Sequence, residues 1–437
     1  MWMHGAMPWM SRTATRAYYR VTVGGAEPPR QGPALIVANH TNSLLDTAFV
    51  VRASQRRVRF MAKAPLFTYP GIGWLVKAVG SVPVYRRQDD PKLVAQNLDV
   101  FRDVYAAIAQ GYALGIFPEG TSHSASHLQP LKTGAARIAL GAAEQLGGRS
   151  FPIVPIGMMF SDRRTFRSSA CVIVGESCKW DDLAGRGPKD REAARELTRR
   201  IETSMRAVTL NLHDWTDEQL VRLAEEVWRA EFGSPNDPQA EIERLATITK
   251  ALAQLRLGDD TIWRSVAREV RAHTRVLGRL GLTPGALRTN VGTSSAIGWF
   301  VRQVPMLLMT PVAALGLLLF WIPREIAGAI GTKASKREGD DSVPTFRVLY
   351  GAIIFAAWFL LLAILGGLLT NWLVGVVAFF ALPTLALVAV TVGESRRFVW
   401  QSVRRWFVLR RHSDRIASLR LRQHDLAQRL RELLRRS

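Results

Sequence analysis

The stretch that decides the fold is ALIVANHTNSLLDTAFVV, residues 34–51. It opens with an uninterrupted apolar run, which is typical of a buried strand, and an Asn-His pair ends that run at His40. The polar residues 41–43 are good turn and helix-cap residues, and an apolar helical pattern containing Asp46 follows. The segment therefore predicts a strand, a turn and a helix, with an imidazole and a carboxylate close to the carboxyl end of the strand.

Short apolar runs alternate with helical patterns around this stretch. The candidate strands read PALIVAN, RVRFMAK, SVPVYR, YALGIF, FPIVPIGMMF and CVIVG, and helical patterns lie at about 43–52, 91–110 and 133–146. This alternation predicts an α/β fold, a mixed sheet flanked by helices, over residues 31–185, preceded by an N-terminal segment, residues 1–30. Ligands of such sheets bind at the carboxyl ends of the strands, which is where His40 falls.

The charge balance points to a polyanionic partner. The chain has 437 residues with 58 Lys and Arg against 36 Asp and Glu, a formal charge of +22. Nucleic acid and anionic membrane are the two obvious candidates. Residues 348–393 contain no charged side chain, enough for about two bilayer crossings, so we expect the basic surface to face lipid rather than nucleic acid. Two cysteines are too few for a disulfide scaffold and suit a reducing compartment.

The C-terminal half predicts an integral membrane protein. We expect a transmembrane hairpin at 348–393 that turns near Asn371-Trp372, within a membrane region of residues 291–393. A second uncharged run, 303–323, contains two prolines and is interpreted as re-entrant or interfacial. The tail, residues 394–437, is rich in arginine, which favours a cytoplasmic tail and a catalytic domain on that same side.

Two amphipathic helices are predicted outside the membrane region. In the helical region 186–290, five arginines share one helix face and could rest on anionic lipid, although a solvated surface face explains them equally well. The basic amphipathic helical tail has apolar residues at heptad-like spacing, interrupted by Gln423, and its first interpretation is a membrane-surface helix, with a dimer contact as the second. The arginines are Arg264, Arg268, Arg271, Arg275 and Arg279, and the apolar residues of the tail are Ile416, Leu419, Leu426, Leu430 and Leu433.

His40 and Asp46 could act together in catalysis. A neutral imidazole is a suitable general base for an alcohol, and it needs a partner on its other ring nitrogen that fixes the tautomer. A carboxylate provides this. The alternative is a histidine and an aspartate that serve only the start of the helix, and in an arbitrary protein that alternative would be preferred.

Other residues of the chain favour the catalytic interpretation. Four short blocks occur in order: Asn-His with Asp46, GSVPVYRR with Arg86 and Arg87, FPEGT with Glu119, and IVPIG with Pro155. Together they resemble the blocks of the glycerolipid acyltransferases typified by lysophosphatidate (1-acylglycerol-3-phosphate) acyltransferase. The resemblance covers about the first 180 residues. It implies transfer of a fatty acyl group from a thioester donor, acyl-CoA or acyl carrier protein, to a hydroxyl of 1-acyl-glycerol-3-phosphate, with no metal or resident cofactor.

The resemblance also implies a role for each matching residue. His40 would be the general base and Asp46 its orienting partner, with direct attack on the thioester and no acyl-enzyme. The absence of a Gly-x-Ser-x-Gly nucleophile motif agrees with this. The implied substrate-binding residues are Arg86, or nearly equally Arg87, for the acceptor phosphate, Glu119, Gly120 and Thr121 for the acceptor, and Pro155 for donor binding or packing. Lys63 and Lys132 could add positive potential near the phosphate or be ordinary surface charges.

One departure from the family pattern leaves alternatives open. Five residues separate His40 from Asp46, where the family usually has four. This spacing, with the Ser-His after Glu-Gly-Thr, resembles a glycerol-3-phosphate or dihydroxyacetone-phosphate acyltransferase branch of the family, which implies one of these two compounds as an alternative acceptor. An inactive homologue serving as a membrane scaffold is a second alternative. His123 and His127 have a spacing that can bind metal on a helix, but no third ligand is apparent, and we expect no metal site.

Overall fold

The structure is a computed structural model whose chain forms two compact units, each described here by itself. The first unit comprises Met1–His213, Pro238–Ala246 and Ser335–Thr345, and the second comprises Asp214–Asp237, Thr247–Ala334 and Phe346–Ser437. The residues described are 5–69, 73–85, 97–125, 127–209, 215–233, 244–245, 247–249, 251, 260–288, 304–305, 308–336, 339–411 and 413–436.

The first unit is built on a mixed sheet. Its strands are β1 Arg20–Gly25, β2 Ala34–Ala38, β3 Val58–Lys63, β4 Val82–Val84, β5 Ala113–Ile116, β6 Ile153–Phe160 and β7 Ser169–Val174. They lie in the order β1-β7-β6-β2-β5-β3-β4. Neighbouring strands are parallel except β6 and β7, which pair antiparallel. The predicted fold class is therefore confirmed, and all six predicted strands are present.

Helices accompany this sheet in the first unit. They are α1 Met7–Tyr18, α2 Leu45–Ser54, α3 Gly73–Ala78, α4 Asn97–Ala109, α5 Gly134–Gln145 and α6 Arg191–Val208. The main core joins β2, β5 and β6 to the inner faces of α4, α5 and α6, with Ile108, Ile138 and Leu197 fully or almost fully buried. Every residue of β2 is buried, as expected for a central parallel strand, so its end is a rigid platform for the residues that follow.

The α/β fold extends beyond the predicted range, 31–185, at both ends. β1 pairs in parallel with β7 at the edge of the sheet, from Arg20↔Ser169 to Gly25↔Val174. At the other end, α6 buries Ala193, Leu197, Ile201 and Met205 in the core of the sheet, because these apolar residues recur every four positions on one helix face.

The second unit is helical. Its helices are α7 Trp215–Phe232, α8 Asp260–Arg279, α9 Thr310–Ser335, α10 Val343–Leu369, α11 Trp372–Arg411 and α12 Ser413–Arg436. The last residue of α9 and the first three residues of α10 belong to the first unit. Three stretches in the described part of the chain are long and apolar enough to cross a membrane: Thr310–Ser335, Val343–Leu369 and Trp372–Glu394. Many large apolar side chains on them are exposed, including Leu318, Leu368, Leu369 and Phe380, as expected for a surface solvated by lipid.

The candidate spans pack through small residues. Gly375 of α11 lies against Gly367 and the Ala363 carbonyl of α10, so α10 and α11 form a close hairpin with Thr370 and Asn371 at its turn. The predicted re-entrant or interfacial segment, 303–323, is helical from Thr310 onward, and the helix extends beyond the predicted end of the segment. The helix there begins at Thr310, continues through Pro323 and ends at Ser335. Its re-entrant or interfacial placement stays a prediction.

The apolar face of the tail helix is buried inside the second unit. Ile416 and Leu419 of α12 pack in one cluster with Leu277 and Leu282 from the end of α8, and Leu426 and Leu430 are also buried. These buried side chains are therefore in contact with the protein's own helices, and the membrane-surface helix and the dimer contact stay predictions. The tail is helical and basic, as predicted.

Gln423, which interrupts the apolar pattern of the tail, has a polar role there. Its side chain is buried, its amide donates to Glu231 at 2.9 Å and its carbonyl oxygen lies 3.2 Å from Nε2 of His273. A buried amide needs such partners, which explains a polar residue at an otherwise apolar position.

Candidate active site

His40 and Asp46 meet at the carboxyl end of β2. Nδ1 of His40 lies 2.9 Å from Oδ2 of Asp46, and the Asp46 side chain is fully buried. The same oxygen accepts the backbone N–H groups of Thr41 and Asn42, each at 2.7 Å. The five-residue spacing is thus compatible with a hydrogen-bonded imidazole–carboxylate pair.

The extra residue is accommodated in the turn before α2. Ser43 adopts a left-handed conformation, with φ of 53°, and α2 begins two residues later at Leu45. Asp46 then lies in the first turn of α2, from which its carboxylate reaches back over residues 40–42. The predicted capping by residues 41–43 is not found, because Leu44 occupies the N-cap position and its side chain makes no capping hydrogen bond.

Two opposing effects act on the Asp46 carboxyl group. Burial raises its pKa, since a charge is poorly solvated there, while the hydrogen bonds from His40, Asn42 and Thr41 favour the ionised form and limit the rise. An ionised Asp46 requires Nδ1 of His40 to carry the proton, which leaves Nε2 as the basic nitrogen. Within the described part of the chain, Nε2 has no hydrogen-bond partner.

The imidazole plane is also held by an aromatic ring. Phe117, directly after β5, stacks on His40 with ring centroids 4.0 Å apart and planes 9° apart. Phe60 of β3 lies beyond it, with its centroid 6.0 Å from that of Phe117. Both the rotation and the tautomer of His40 are therefore constrained by neighbouring groups.

Glu119, after the neighbouring strand β5, contacts the loop between β2 and α2, residues 39–44, which is named the catalytic loop after the predicted role of His40. It is buried, and its Oε1 accepts the backbone N–H of His40 at 2.8 Å. Its Oε2 accepts the N–H of Gln129 at 2.9 Å and is hydrogen-bonded to Nε2 of His123. In addition, the backbone N–H of His123 donates to the His40 carbonyl at 3.0 Å. The predicted acceptor-binding carboxylate is thus engaged with protein groups.

Gly120 allows a lysine to lie across the same loop. Its φ is 78°, and a Cβ on this residue would lie 2.6 Å from Nζ of Lys132. A side chain at position 120 would therefore displace Lys132 and strain the backbone. Lys132 also donates its backbone N–H to the Pro118 carbonyl at 2.9 Å, and Thr121 is exposed beside this turn. These residues lie together, close to His40 in the fold.

Of the four remaining predicted site residues, two lie among the described residues and two do not. Lys63 is the last residue of β3, at the same edge of the sheet. Pro155 is buried inside β6, opposite Val37 of β2, and its ring packs close to Gly175, which is an arrangement for packing. Arg86 and Arg87 lie outside the described residues. In that same described part, no group of three or more His, Cys, Asp or Glu side chains could hold a metal ion.

Several residues of the catalytic loop's surroundings were missed by the sequence analysis. The Asn42 side chain donates to the Tyr19 hydroxyl at 2.8 Å, and that hydroxyl donates to the Arg163 carbonyl at 2.5 Å. The Arg163 guanidinium donates to the Thr41 carbonyl at 2.9 Å. Thr345 is hydrogen-bonded to the same loop at Asn42 and at Leu45. Tyr19, Arg163 and Thr345 belong to none of the four sequence blocks. Phe117, which stacks on His40, is the first residue of the FPEGT block.

Part of this chain is similar in sequence to a known protein family and to several known proteins. Residues 20–159 match the family model described as Acyltransferase. Glycerol-3-phosphate O-acyltransferase 1 of Saccharomyces cerevisiae is 25% identical over 267 residues, which are 58% of this chain and 35% of that protein. A chloroplastic 1-acyl-sn-glycerol-3-phosphate acyltransferase of Brassica napus is 31% identical over 144 residues, 32% of this chain and 38% of that protein.

A third relative and one solved structure are also similar to this chain. A lyso-ornithine lipid O-acyltransferase of Pseudomonas aeruginosa is 31% identical over 136 residues, 31% of this chain and 47% of that protein. The crystal structure of a 1-acyl-sn-glycerophosphate acyltransferase from Thermotoga maritima is 19% identical and aligns with a TM-score of 0.35, over 46% of this chain and 77% of that one. The chain therefore spans less than half the length of each of these three relatives.

Proposed function

We propose that the chain is a membrane-bound O-acyltransferase of glycerolipid synthesis, because residues 20–159 match the acyltransferase family model and carry the four sequence blocks. It moves a fatty acyl group from a thioester donor to a hydroxyl of 1-acyl-glycerol-3-phosphate. The observation that carries the proposal is the His40–Asp46 pair, with Nδ1 bound to a buried carboxylate and Nε2 left for a substrate.

The reaction follows from this arrangement. Nε2 of His40 takes the proton of the acceptor hydroxyl while the hydroxyl oxygen attacks the thioester carbonyl. The imidazolium so formed is stabilised by the Asp46 carboxylate, which accepts the Nδ1–H throughout. The tetrahedral intermediate then collapses, the carbon–sulfur bond breaks, and the thiolate takes the proton from Nε2. The products are an ester and a free thiol, and no acyl-enzyme forms.

The substrates are assigned by the chemistry of the predicted binding residues. Arg86 and Arg87 are proposed to bind the acceptor phosphate, since a guanidinium can make two charge-assisted hydrogen bonds to it. Lys132, which lies across Gly120 beside the catalytic loop, adds a positive charge on that side. Acyl-CoA or acyl carrier protein supplies the acyl group as a co-substrate, and no metal or resident cofactor takes part.

Glycerol-3-phosphate, or dihydroxyacetone phosphate, is the second candidate acceptor. The match to the yeast glycerol-3-phosphate O-acyltransferase covers 58% of the chain and so extends past the catalytic domain, whereas the match to the Brassica napus protein covers 32%. An acceptor without an acyl chain needs no apolar channel, so the two candidates differ in what the site must accommodate.

The membrane location fits a reaction whose lipid product stays in the bilayer. The three candidate spans support an integral membrane protein. We propose that the catalytic domain faces the cytoplasm, because the arginine-rich chain after Glu394 follows the last span directly. The exposed arginine face of α8 is proposed to lie against anionic headgroups, which attract each basic residue by about 1 kcal/mol.

Acyl transfer in membranes tests the proposal. Membranes with the wild-type chain, His40→Ala or the control His127→Ala are given labelled acyl-CoA with either 1-acyl-glycerol-3-phosphate or glycerol-3-phosphate. We expect His40→Ala to lose at least about 100-fold in rate, because general-base catalysis contributes that much. His127, an exposed histidine of the neighbouring loop, should be replaceable without loss.

Each other outcome has a definite meaning. A higher rate with glycerol-3-phosphate would replace the first acceptor by the second. An unchanged rate in His40→Ala would refute the mechanism. A wild-type chain inactive with both acceptors, and with acyl carrier protein as the donor, would favour the inactive membrane scaffold.

A further inference from the structure

The catalytic loop is held by a residue from a distant part of the chain. The hydroxyl of Thr345 accepts the backbone N–H of Leu45 and donates to the backbone carbonyl of Asn42, both at 3.1 Å. A threonine hydroxyl has one proton to donate and lone pairs to accept, so one side chain makes both bonds. Thr345 is buried, and 300 positions separate it from Leu45.

The bond from the Leu45 N–H compensates for a missing helix cap. The first N–H groups of a helix lack intrahelical partners, and a side chain at the N-cap position usually accepts one of them. The N-cap of α2 is Leu44, whose side chain cannot do so. Thr345 accepts the first of these N–H groups in its place, immediately before Asp46 in the sequence.

The bonded atoms enclose the part of the loop that sets the position of the carboxylate. Asn42 and Leu45 lie on either side of Ser43, whose left-handed conformation is unfavourable for a residue other than glycine. By tying the Asn42 carbonyl to the Leu45 amide, Thr345 keeps this turn closed. Asp46 directly follows, so the turn determines where its carboxylate meets Nδ1 of His40.

The segment that carries Thr345 has hydrogen bonds among its described residues. Gly339 donates to the Ser335 carbonyl at 3.0 Å and adopts a φ of 105°, and Ser342 donates to the Gly339 carbonyl through both its N–H and its hydroxyl. Ser335–Thr345 belongs to the same compact unit as the catalytic loop. It lies far outside residues 20–159 and connects two of the candidate membrane spans.

We propose that Thr345 is a positioning residue for acyl transfer, and that the connection between two candidate membrane spans thereby completes the catalytic loop. This inference rests on the proposed function, since it assigns Thr345 a part in that reaction through Asp46 and His40. A tertiary contact that served folding alone would leave kcat unchanged in a correctly folded variant.

Two substitutions separate the hydroxyl from the side-chain volume. Thr345→Val keeps the shape and removes both hydrogen bonds, whereas Thr345→Ser keeps the hydroxyl. Thr391→Val is the control, because the Thr391 hydroxyl donates to the Leu387 carbonyl in its own helix. We expect kcat of Thr345→Val to fall about 10- to 100-fold with KM values within about twofold, as for a misplaced catalytic group. Thr345→Ser and Thr391→Val should stay within about threefold of the wild type.

Hydrogen–deuterium exchange provides a readout that does not depend on activity. The Leu45 N–H should exchange at least about tenfold faster in Thr345→Val than in the wild type, because its acceptor is gone. Peptides from β2 and β6 should exchange unchanged, which verifies that the sheet is folded. Thr345→Ser should retain the protection of Leu45.

The outcomes distinguish this inference from the proposed function. If Leu45 exchanges equally in all variants, Thr345 does not hold the loop, and the inference is overturned whatever the activity. Faster exchange with an unchanged kcat would overturn the positioning role. Equal loss of kcat in Thr345→Ser and Thr345→Val would show that the hydroxyl is not responsible. A wild-type chain without acyl transfer would refute the proposed function instead, while the exchange data would still decide whether Thr345 holds the loop.

Discussion

Asp46 is a carboxylate in a place where burial alone favours its neutral form. Its Oδ2 accepts three hydrogen bonds, from the His40 side chain and from two backbone N–H groups, and these stabilise the charge. Because burial nevertheless raises its pKa, the ionised group carries a free-energy cost at neutral pH. Stability that depends on this group is greatest below its ordinary pKa and is lost as the pH rises through the raised value.

Asp46→Asn should therefore separate stability from activity. Asparagine removes the charge and keeps an oxygen that can accept the Thr41 and Asn42 N–H groups. We expect the free energy of unfolding at pH 7 to change by less than about 1 kcal/mol, because the acceptor oxygen is retained and exchanging one hydrogen bond for another changes stability by about that amount at most. The rate of acyl transfer should fall by about 10³- to 10⁴-fold, since the tautomer of His40 is no longer fixed.

Asp46→Ala is the comparison for that prediction. Alanine leaves the Thr41 and Asn42 N–H groups without their acceptor, so unfolding should become easier by about 1–3 kcal/mol. Thermal unfolding of the purified proteins and initial rates measure both effects. An Asp46→Asn variant that is as unstable as Asp46→Ala would mean that the negative charge itself stabilises the loop.

Contacts between residues close together in the sequence could be predicted, whereas contacts between residues far apart could not. His40 and Asp46 are six positions apart on a predicted strand, turn and helix, so their pairing could be predicted and is found. Tyr19 and Thr345 contact the same loop from 23 and 300 positions away. A lone tyrosine or threonine carries no pattern, and such contacts are visible only in the folded chain.

Among the secondary-structure elements, the buried ones were the most predictable. The central strands are apolar runs, and they appear within one or two residues of the predicted ends. β1 reads RVTVGG and every second or third residue is exposed, since it lies at the edge of the sheet, so it shows no apolar run. The apolar positions of α6 were readable as a helix, but the surface on which they pack was not.

The loop after β5 is the element whose role the structure changes most. The family resemblance implies that Glu119 takes part in acceptor binding, yet its carboxylate accepts the backbone N–H groups of His40 and Gln129. A hydrogen bond to a charged group contributes about 1.5–3 kcal/mol, so its loss should loosen the catalytic loop. The loop from β5 and the loop from β2 thus form one assembly.

Glu119→Gln tests this role. Glutamine keeps the shape but weakens both backbone hydrogen bonds, and its amide cannot accept from two sides. We expect kcat to fall about 10- to 100-fold, which corresponds to about 1.5–3 kcal/mol, with the KM for the acceptor changed less than about threefold. Steady-state kinetics against acceptor concentration measure both. Glu144→Gln, on the exposed side of α5, is the control, and a rise in KM alone would restore Glu119 to acceptor binding.

For the whole molecule, the position of Ser335–Thr345 constrains the membrane topology. This connection belongs to the catalytic unit and Thr345 is hydrogen-bonded to the catalytic loop, so both lie on one side of the membrane. We expect the hairpin of α10 and α11 to cross twice, with its turn on the opposite side, and to return the tail to the catalytic side. The uncharged run made the hairpin predictable, whereas the link between its base and the catalytic loop was not.

Cysteine labelling checks this topology. In a chain with Cys171→Ser and Cys178→Ser, single cysteines at Asp341, Thr370 and Ser418 are treated with a membrane-impermeant maleimide in sealed vesicles of either orientation. We expect Asp341→Cys and Ser418→Cys to react from the same face and Thr370→Cys from the opposite face, because only Thr370 lies at the turn of the hairpin. Glu144→Cys, on the exposed side of α5, marks the catalytic face.

Three other patterns of reactivity would contradict this arrangement. If Thr370→Cys reacts from the catalytic face, α10 and α11 do not cross the bilayer. If Ser418→Cys reacts from the turn face, α11 does not return the tail, and the arginine-rich tail cannot serve the catalytic side. If Asp341→Cys and Glu144→Cys react from opposite faces, the bond between Thr345 and the catalytic loop does not form in the membrane, because two groups 3.1 Å apart cannot lie on opposite sides of a bilayer of about 30 Å. The labelling therefore tests the positioning role of Thr345 by a route independent of catalysis.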